Sequence, residues 1–217
     1  MGSFKLLAHP WWVNLLLLVP LAAYFLFRRE KPELTSRELL TSAMFALSFG
    51  FVEGAVAIYL GVAVGLLSGH AGPLANIALL SADLHGQQSQ HLNNLPPALL
   101  RIEVFREAAS MLMLLSVAIL AQHTRRERFA AFLWIFALWD MGYYVALWAT
   151  VRWPDSLTSA DVLFFIPVPW TSQVWFPLLI SILTGAVILL TDPEIGQTSD
   201  QNICARANSV EPARAED

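Results

Sequence analysis

Cysteine is nearly absent from this chain. Cys204 is its only one, which excludes an internal disulfide framework and any cysteine-built zinc or iron–sulfur site within one copy. Charge is scarce too: Asp, Glu, Lys and Arg make up 14% of the 217 residues, where a soluble domain carries about 25%. A formal net charge of −4 and the lack of a basic aromatic patch argue against a nucleic-acid partner. There is no P-loop, no Gly-x-Ser-x-Gly elbow and no Gly-x-Gly-x-x-Gly turn, so the common nucleotide and acyl-transfer signatures are missing. No Glu-x-x-His pair occurs, so a di-iron centre would need an all-carboxylate variant. No histidine lies inside an apolar run, which argues against a haem held between helices by two imidazoles.

What is present is apolar length. Hydrophobic residues make up 56% of the chain and the mean hydropathy is +0.55, concentrated in uncharged runs. A helix needs roughly 17–25 residues to cross a bilayer core. The runs predict an all-α, polytopic membrane protein with about five transmembrane helices, at residues 11–27, 43–67, 101–122, 129–151 and 174–190. Residues 1–191 form one membrane domain on this reading, and the polar tail at 192–217, low in aromatics, is expected to be disordered. Arg28, Arg29 and Lys31 follow the first run directly, as a stop-transfer flank does, so that run reads as a retained anchor rather than a cleaved signal. Placing the N-terminus outside puts Arg28, Arg29, Lys31, Arg37, Arg125, Arg126, Arg128, Arg206 and Arg214 in the cytoplasm and leaves Lys5, Arg101, Arg106 and Arg152 opposite. The positive-inside rule therefore predicts N-out/C-in.

The stretch at 101–122 carries the chemistry. Glu103, Arg106, Glu107 and Ser110 share one stripe of a helix, while Leu112, Leu115 and Ile119 are free to meet lipid or other helices. Charges inside a membrane helix are costly unless paired or wet. In the second run, Gly50, Gly54, Ala57, Gly61 and Gly65 recur at three- and four-residue spacing and form a groove for close helix packing; Glu53 lies beside it. In the fourth run, Asp140, Tyr143 and Tyr144 share a face, which suits tyrosines bonded to a buried acid. The connection at 68–100 holds Asp83, His85 and His91 but no Lys or Arg; solvated loop histidines and outer metal ligands are both open readings. The segment at 152–170 is broken by Pro167 and Pro169, so it reads as an interfacial or re-entrant piece that protein must bury.

This topology sets Glu53 and Asp140 near the midplane, with Glu103, Arg106 and Glu107 entering from the outer side, under Asp155 and Asp161. Three chemistries fit. Glu53, Glu103, Glu107 and Asp140 would bind a divalent metal or other hard cation, with Arg106, Tyr143 and Tyr144 behind them and His85, His91 and Asp161 as outer ligands. Alternatively they carry protons, or perform acid/base chemistry on a lipid or quinone-like substrate. A purely structural reading competes with all three: Arg106 neutralises one or two acids, and the rest are hydrogen-bonded packing elements. The sequence assigns no reaction.

The blocks Phe51-Val52-Glu53, residues 103–110, Trp139-Asp140-Met141-Gly142-Tyr143-Tyr144 and residues 161–170 together resemble a group of bacterial multi-pass membrane proteins of unassigned function, over residues 40–185. The resemblance implies that these blocks act as one unit and supplies no substrate. The expectation is a bacterial cytoplasmic-membrane protein whose acidic intramembrane site binds or moves a cation or protons. The runner-up is a membrane-embedded enzyme. A third reading is an accessory subunit that docks a larger membrane complex through its glycine groove, and a homo-oligomer is equally open.

Overall fold

The computed structural model of the chain describes residues 7–67 and 97–191; the expected tail at 192–217 lies outside the described residues. The chain opens with a 3-10 stretch, Trp11–Leu18, that passes into α1 (Val19–Phe27). Pro20 stands in the first turn of α1, where a missing N–H costs the helix nothing. The long helix α2 (Ser36–Leu67) and helix α3 (Pro97–Ala121) follow. A three-residue turn leads to α4 (Arg125–Val151), and a β-hairpin precedes the last helix, α5 (Trp175–Thr191).

Three helices among the described residues are long and apolar enough to cross a membrane: Ser36–Leu60 of α2, all of α3, and all of α4. The stretches Trp11–Phe27 and Trp175–Thr191 are shorter apolar helices. The predicted runs are recovered as helices; α2 and α4 start earlier than their apolar cores because polar residues build their first turns, and α3 starts earlier at Pro97. Thr35 and Glu38 open α2, with the Thr35 N–H donating to Glu38 Oε2 at 2.9 Å and the Glu38 N–H to Thr35 Oγ1 at 3.3 Å. Thr124 and Glu127 repeat this reciprocal cap on α4, at 3.0 and 3.2 Å. Each pair satisfies two N–H groups that a helix start leaves without partners. At its far end α4 stops on Arg152 in the left-handed region, φ 57° and ψ 28°, and Pro154 lies two residues beyond.

The most extensive packing is between α2 and α4. A Cβ on Gly50 would meet the Trp139 carbonyl oxygen at 2.5 Å and the Tyr143 nitrogen at 2.8 Å, and one on Gly142 would meet Leu47 Cα at 3.2 Å. A Cβ on Gly54 would sit 3.2 Å from that of Ala146. The small residues of α2 therefore face Gly142 and Ala146 of α4, backbone against backbone, as small-residue motifs permit in membranes. The register rises together on both helices, so they run parallel. Gly61 and Gly65 lie beyond the part of α2 whose packing is described.

The all-α expectation needs one correction. Within the segment read as interfacial or re-entrant, β1 (Ala160–Phe164) pairs with β2 (Trp170–Gln173) as an antiparallel hairpin, with Asp161 opposite Ser172 and Val162 opposite Thr171. Pro167 and Pro169 fall in the connection between the strands, where no ladder hydrogen bond is required of them. The hairpin gains a third partner, since His9 and Thr171 exchange both backbone hydrogen bonds at 2.8 Å. Asn14 secures that edge by bridging the Ala8 N–H and carbonyl at 2.9 and 3.0 Å. The cationic ends gather opposite the hairpin. Arg126 Nη1 donates to the Glu30 carbonyl at 2.7 Å, and the Phe27 and Phe129 rings stand 6.2 Å apart, which sets the α1–α2 connection beside the start of α4.

The Gly50 contact leads to a direct test. Gly50→Ala places a methyl group on backbone that cannot yield, and overpacking of this kind costs about 1–3 kcal/mol. We expect a lowered melting temperature for the detergent-solubilised variant, and none for Leu115→Ile, whose side chain is exposed on α3. A Gly50→Ala protein as stable as the parent would refute the close contact.

Candidate functional site

The residues singled out in the sequence surround one cavity of about 610 Å³. Helices α2, α3, α4 and α5 form its walls, and the hairpin lies over it. Glu53, Glu103, Arg106, Glu107, Asp140, Tyr143, Tyr144 and Asp161 all line it. The predicted stripe on α3 faces inward: Glu103, Glu107 and Ser110 are buried, whereas Leu112, Leu115 and Ile119 are exposed. Helices α3 and α4 are antiparallel about the turn at 122–124, so Glu107 stands level with Asp140, and Met111 faces the Leu133 to Phe136 region. The polar groups thus collect toward the hairpin, and Phe132, Phe136 and Met111 add an apolar part to the lining.

Each acid has a definite partner. Arg106 sits between Glu53 and Glu103. It forms an ion pair with Glu53 Oε2 and donates to Glu103 Oε2 through Nε at 3.0 Å and Nη2 at 2.8 Å. The Ser110 hydroxyl donates to Glu53 Oε1 at 2.6 Å. Both oxygens of Glu107 accept the backbone N–H of Phe165, at 3.0 and 2.8 Å, which ties the hairpin to α3. Asp140 accepts the Ser181 hydroxyl of α5 at 2.8 Å. Asp161 accepts the Tyr144 hydroxyl at 2.7 Å and its neighbour's N–H, that of Val162, at 2.8 Å. Burial pushes the Asp161 carboxyl up to about 6, against the opposing pull of those two donors. Tyr143 lines the cavity with its ring edge-on to Tyr144, centroids 5.2 Å apart.

The expected grouping of Glu53, Glu103, Glu107 and Asp140 on one cation finds no support. Among the described residues no cluster of three or more His, Cys, Asp or Glu is placed to hold a metal ion. The physical reason is visible in the pairings: a guanidinium stands where the cation would be, and Glu107 and Asp140 turn to a backbone amide and a serine. Of the outer ligands, Asp161 reaches the cavity, whereas Asp83, His85 and His91 lie outside the described residues. Asp155 is exposed and accepts the Ser159 hydroxyl at 2.5 Å, away from the site.

Sequence reasoning missed Ser181 and Thr184 of α5, and it gave Trp139 and Trp170 no role beyond membership of the blocks at 139–144 and 161–170. Two hydroxyls three residues apart on an otherwise apolar helix are a usable signal, because they share one face. The Phe165 amide left no such signal, since backbone donors carry no residue identity. No family model, curated protein or solved structure matches this chain.

Two tests follow from the pairings. Arg106→Gln would leave Glu53 and Glu103 buried side by side without their cation. Losing one partner of a buried pair costs about 3–5 kcal/mol, and the 27% exposure of the Arg106 side chain argues for the lower end. Adding Glu53→Gln to that variant should recover part of the loss. Equal melting temperatures for parent and Arg106→Gln would refute the pairing. Asp161 gives a pH signature with a definite sign. Its folded-state value of about 6 exceeds the ordinary 3.8, so the folded protein holds a proton that the unfolded chain releases between those values. Stability of the parent relative to Asp161→Asn should therefore be greatest below pH 3.8, fall as pH rises through 6, and stay level above. A relative stability that rises over that window would contradict the buried environment.

Proposed function

We propose that this chain is a five-span protein of a bacterial cytoplasmic membrane, N-out/C-in, that binds a lipid-soluble organic molecule in its intramembrane cavity and presents acid/base groups to that molecule's polar end. The cavity carries this reading. Its volume of about 610 Å³ falls in the range of small-molecule sites, which are mostly apolar with a few convergent polar groups. Carboxyl, guanidinium and phenol groups meet there beside a wall of Phe132, Phe136, Trp139 and Phe164. The cation clusters that share one end of the bundle, at residues 28–31 and 125–128, support the orientation. The two shorter apolar helices have the length of a minimal span, which supports the count of five.

Cation or proton handling was the first expectation from sequence. Arg106 among the acids weakens the cation form, because a fixed positive charge repels a second one. Proton exchange remains as a second reading, supported by the Asp140–Ser181 and Asp161–Tyr144 pairs, and it is compatible with acid/base action on a bound molecule. Docking of a larger complex through the glycine groove has less support, since α4 of the same chain covers Gly50 and Gly54.

The test is the molecule that accompanies the protein. Organic extracts of protein purified in mild detergent should contain one lipid-soluble species in near-equal molar amount. Ala57→Phe and Ala108→Phe, which fill the cavity from two helices, should deplete it while leaving an inserted, folded protein. If parent and filled variants carry the same extractable complement, the cavity is not a binding site.

A further inference from the structure

Among the described residues most buried polar side chains are satisfied internally, and three that are not belong to residues in the lining of the cavity. The indole N–H of Trp134 donates to the Leu39 carbonyl at 3.1 Å, and that of Trp175 to Gln173 Oε1 at 2.8 Å. The hydroxyls of Ser42 and Thr191 bond back to carbonyls four residues earlier, at 2.6 and 2.7 Å, the usual resort of a hydroxyl within a helix. Trp139 Nε1, Trp170 Nε1 and Thr184 Oγ1 are the buried side-chain polar atoms without a partner among the described residues. All three residues line the cavity, although they come from α4, β2 and α5. Trp139 is 8% exposed and Thr184 3%, so bulk water does not serve them. Buried donors left unmade are uncommon and ask for an explanation such as a missing ligand.

Resting on the reading of the cavity as a ligand site, we infer that its ligand is a neutral, planar molecule with carbonyl-type oxygens, taken up by the donors of Trp139, Trp170 and Thr184. An indole N–H only donates, so its partner must be an acceptor. The body of the ligand follows from the wall between those donors. The rings of Phe136, Trp139, Phe164 and Trp170 form a chain with successive centroids 5.5, 6.4 and 5.3 Å apart, a surface suited to a flat conjugated system. Because Phe164 stands between the two indoles, acceptors are required at separated points, as on the two sides of a quinone ring. Charge excludes the anionic alternatives: five carboxyl groups and one guanidinium line the cavity, a balance that repels fatty-acid and phosphate head groups.

Two probes of equal shape test this on the full chain in nanodiscs of fixed lipid composition: 2-methyl-1,4-naphthoquinone and 2-methylnaphthalene, which lacks the carbonyls. The quinone should bind the parent about tenfold more tightly, the factor expected of one additional good hydrogen bond. Trp139→Phe, Trp170→Phe and Thr184→Val should each erode that preference while leaving hydrocarbon affinity nearly unchanged. Trp134→Phe, whose indole bonds to the Leu39 carbonyl, should keep the preference intact. Equal binding of both probes to the parent overturns the inference and leaves the cavity a hydrophobic ligand site. Binding of neither probe removes both the inference and the ligand-site reading. A preference that survives all three cavity substitutions also overturns it, since the carbonyls would then be read by other groups.

Discussion

Arg106 is the one cation among the described residues that line the cavity, and the polar half of the site depends on where it stands. Its guanidinium joins Glu53 of α2 to Glu103 of α3, two helices that otherwise touch little. The cavity exists because those helices are held apart at this level and clasped through charge instead of packed side chains. A pair of buried acids without a cation would be too costly in a low-dielectric interior. The ion cluster is therefore best understood as a spacer that also polarises the cavity.

A second constraint comes from the hairpin. An irregular segment can lie at membrane depth only where protein satisfies its backbone. Here the satisfaction is distributed: strand pairing supplies most of it, His9 supplies one edge, and Glu107 takes the Phe165 amide beyond β1. The Tyr144–Asp161 bond fastens the same strand to α4. Groups that sequence reading assigned to metal binding thus serve partly as attachments for the roof. That dual use is economical in a small bundle, because the same carboxylates that anchor the hairpin also face the cavity beneath it.

Periodicity and charge made much of this legible. The α3 stripe needed only helical spacing and the cost of charge in lipid, and it faces the cavity as expected. Gly50 and Gly54 announced a close contact, but their partner was obscured because Gly142 and Ala146 stand among large aromatics in a helix read for its acid. The hairpin was hidden by its shortness: the five apolar residues at 162–166, stopped by Pro167, fit a strand or an interfacial piece equally well. Which acid meets which donor was beyond the sequence altogether. Spacing brings Glu53, Glu107 and Asp140 to similar depths, yet only the rotation of four helices decides that one meets an arginine, one an amide and one a serine.

The contrast between satisfied and unsatisfied groups closes the argument about what the cavity is for. Were the polar residues there only to hold helices together, partners would be found for all of them, as Ser42, Thr191 and Trp134 have found theirs. The acids and the arginine do conform to that expectation, which is why their pairing alone says little about function. Trp139, Trp170 and Thr184 do not conform. They are donors on three separate elements, so no single local distortion accounts for them, and what their residues share is a place in the lining of one cavity. A void lined by unmet donors and by aromatic faces is a costly way to pack a bundle of this size. It is an ordinary way to hold a molecule that brings its own acceptors.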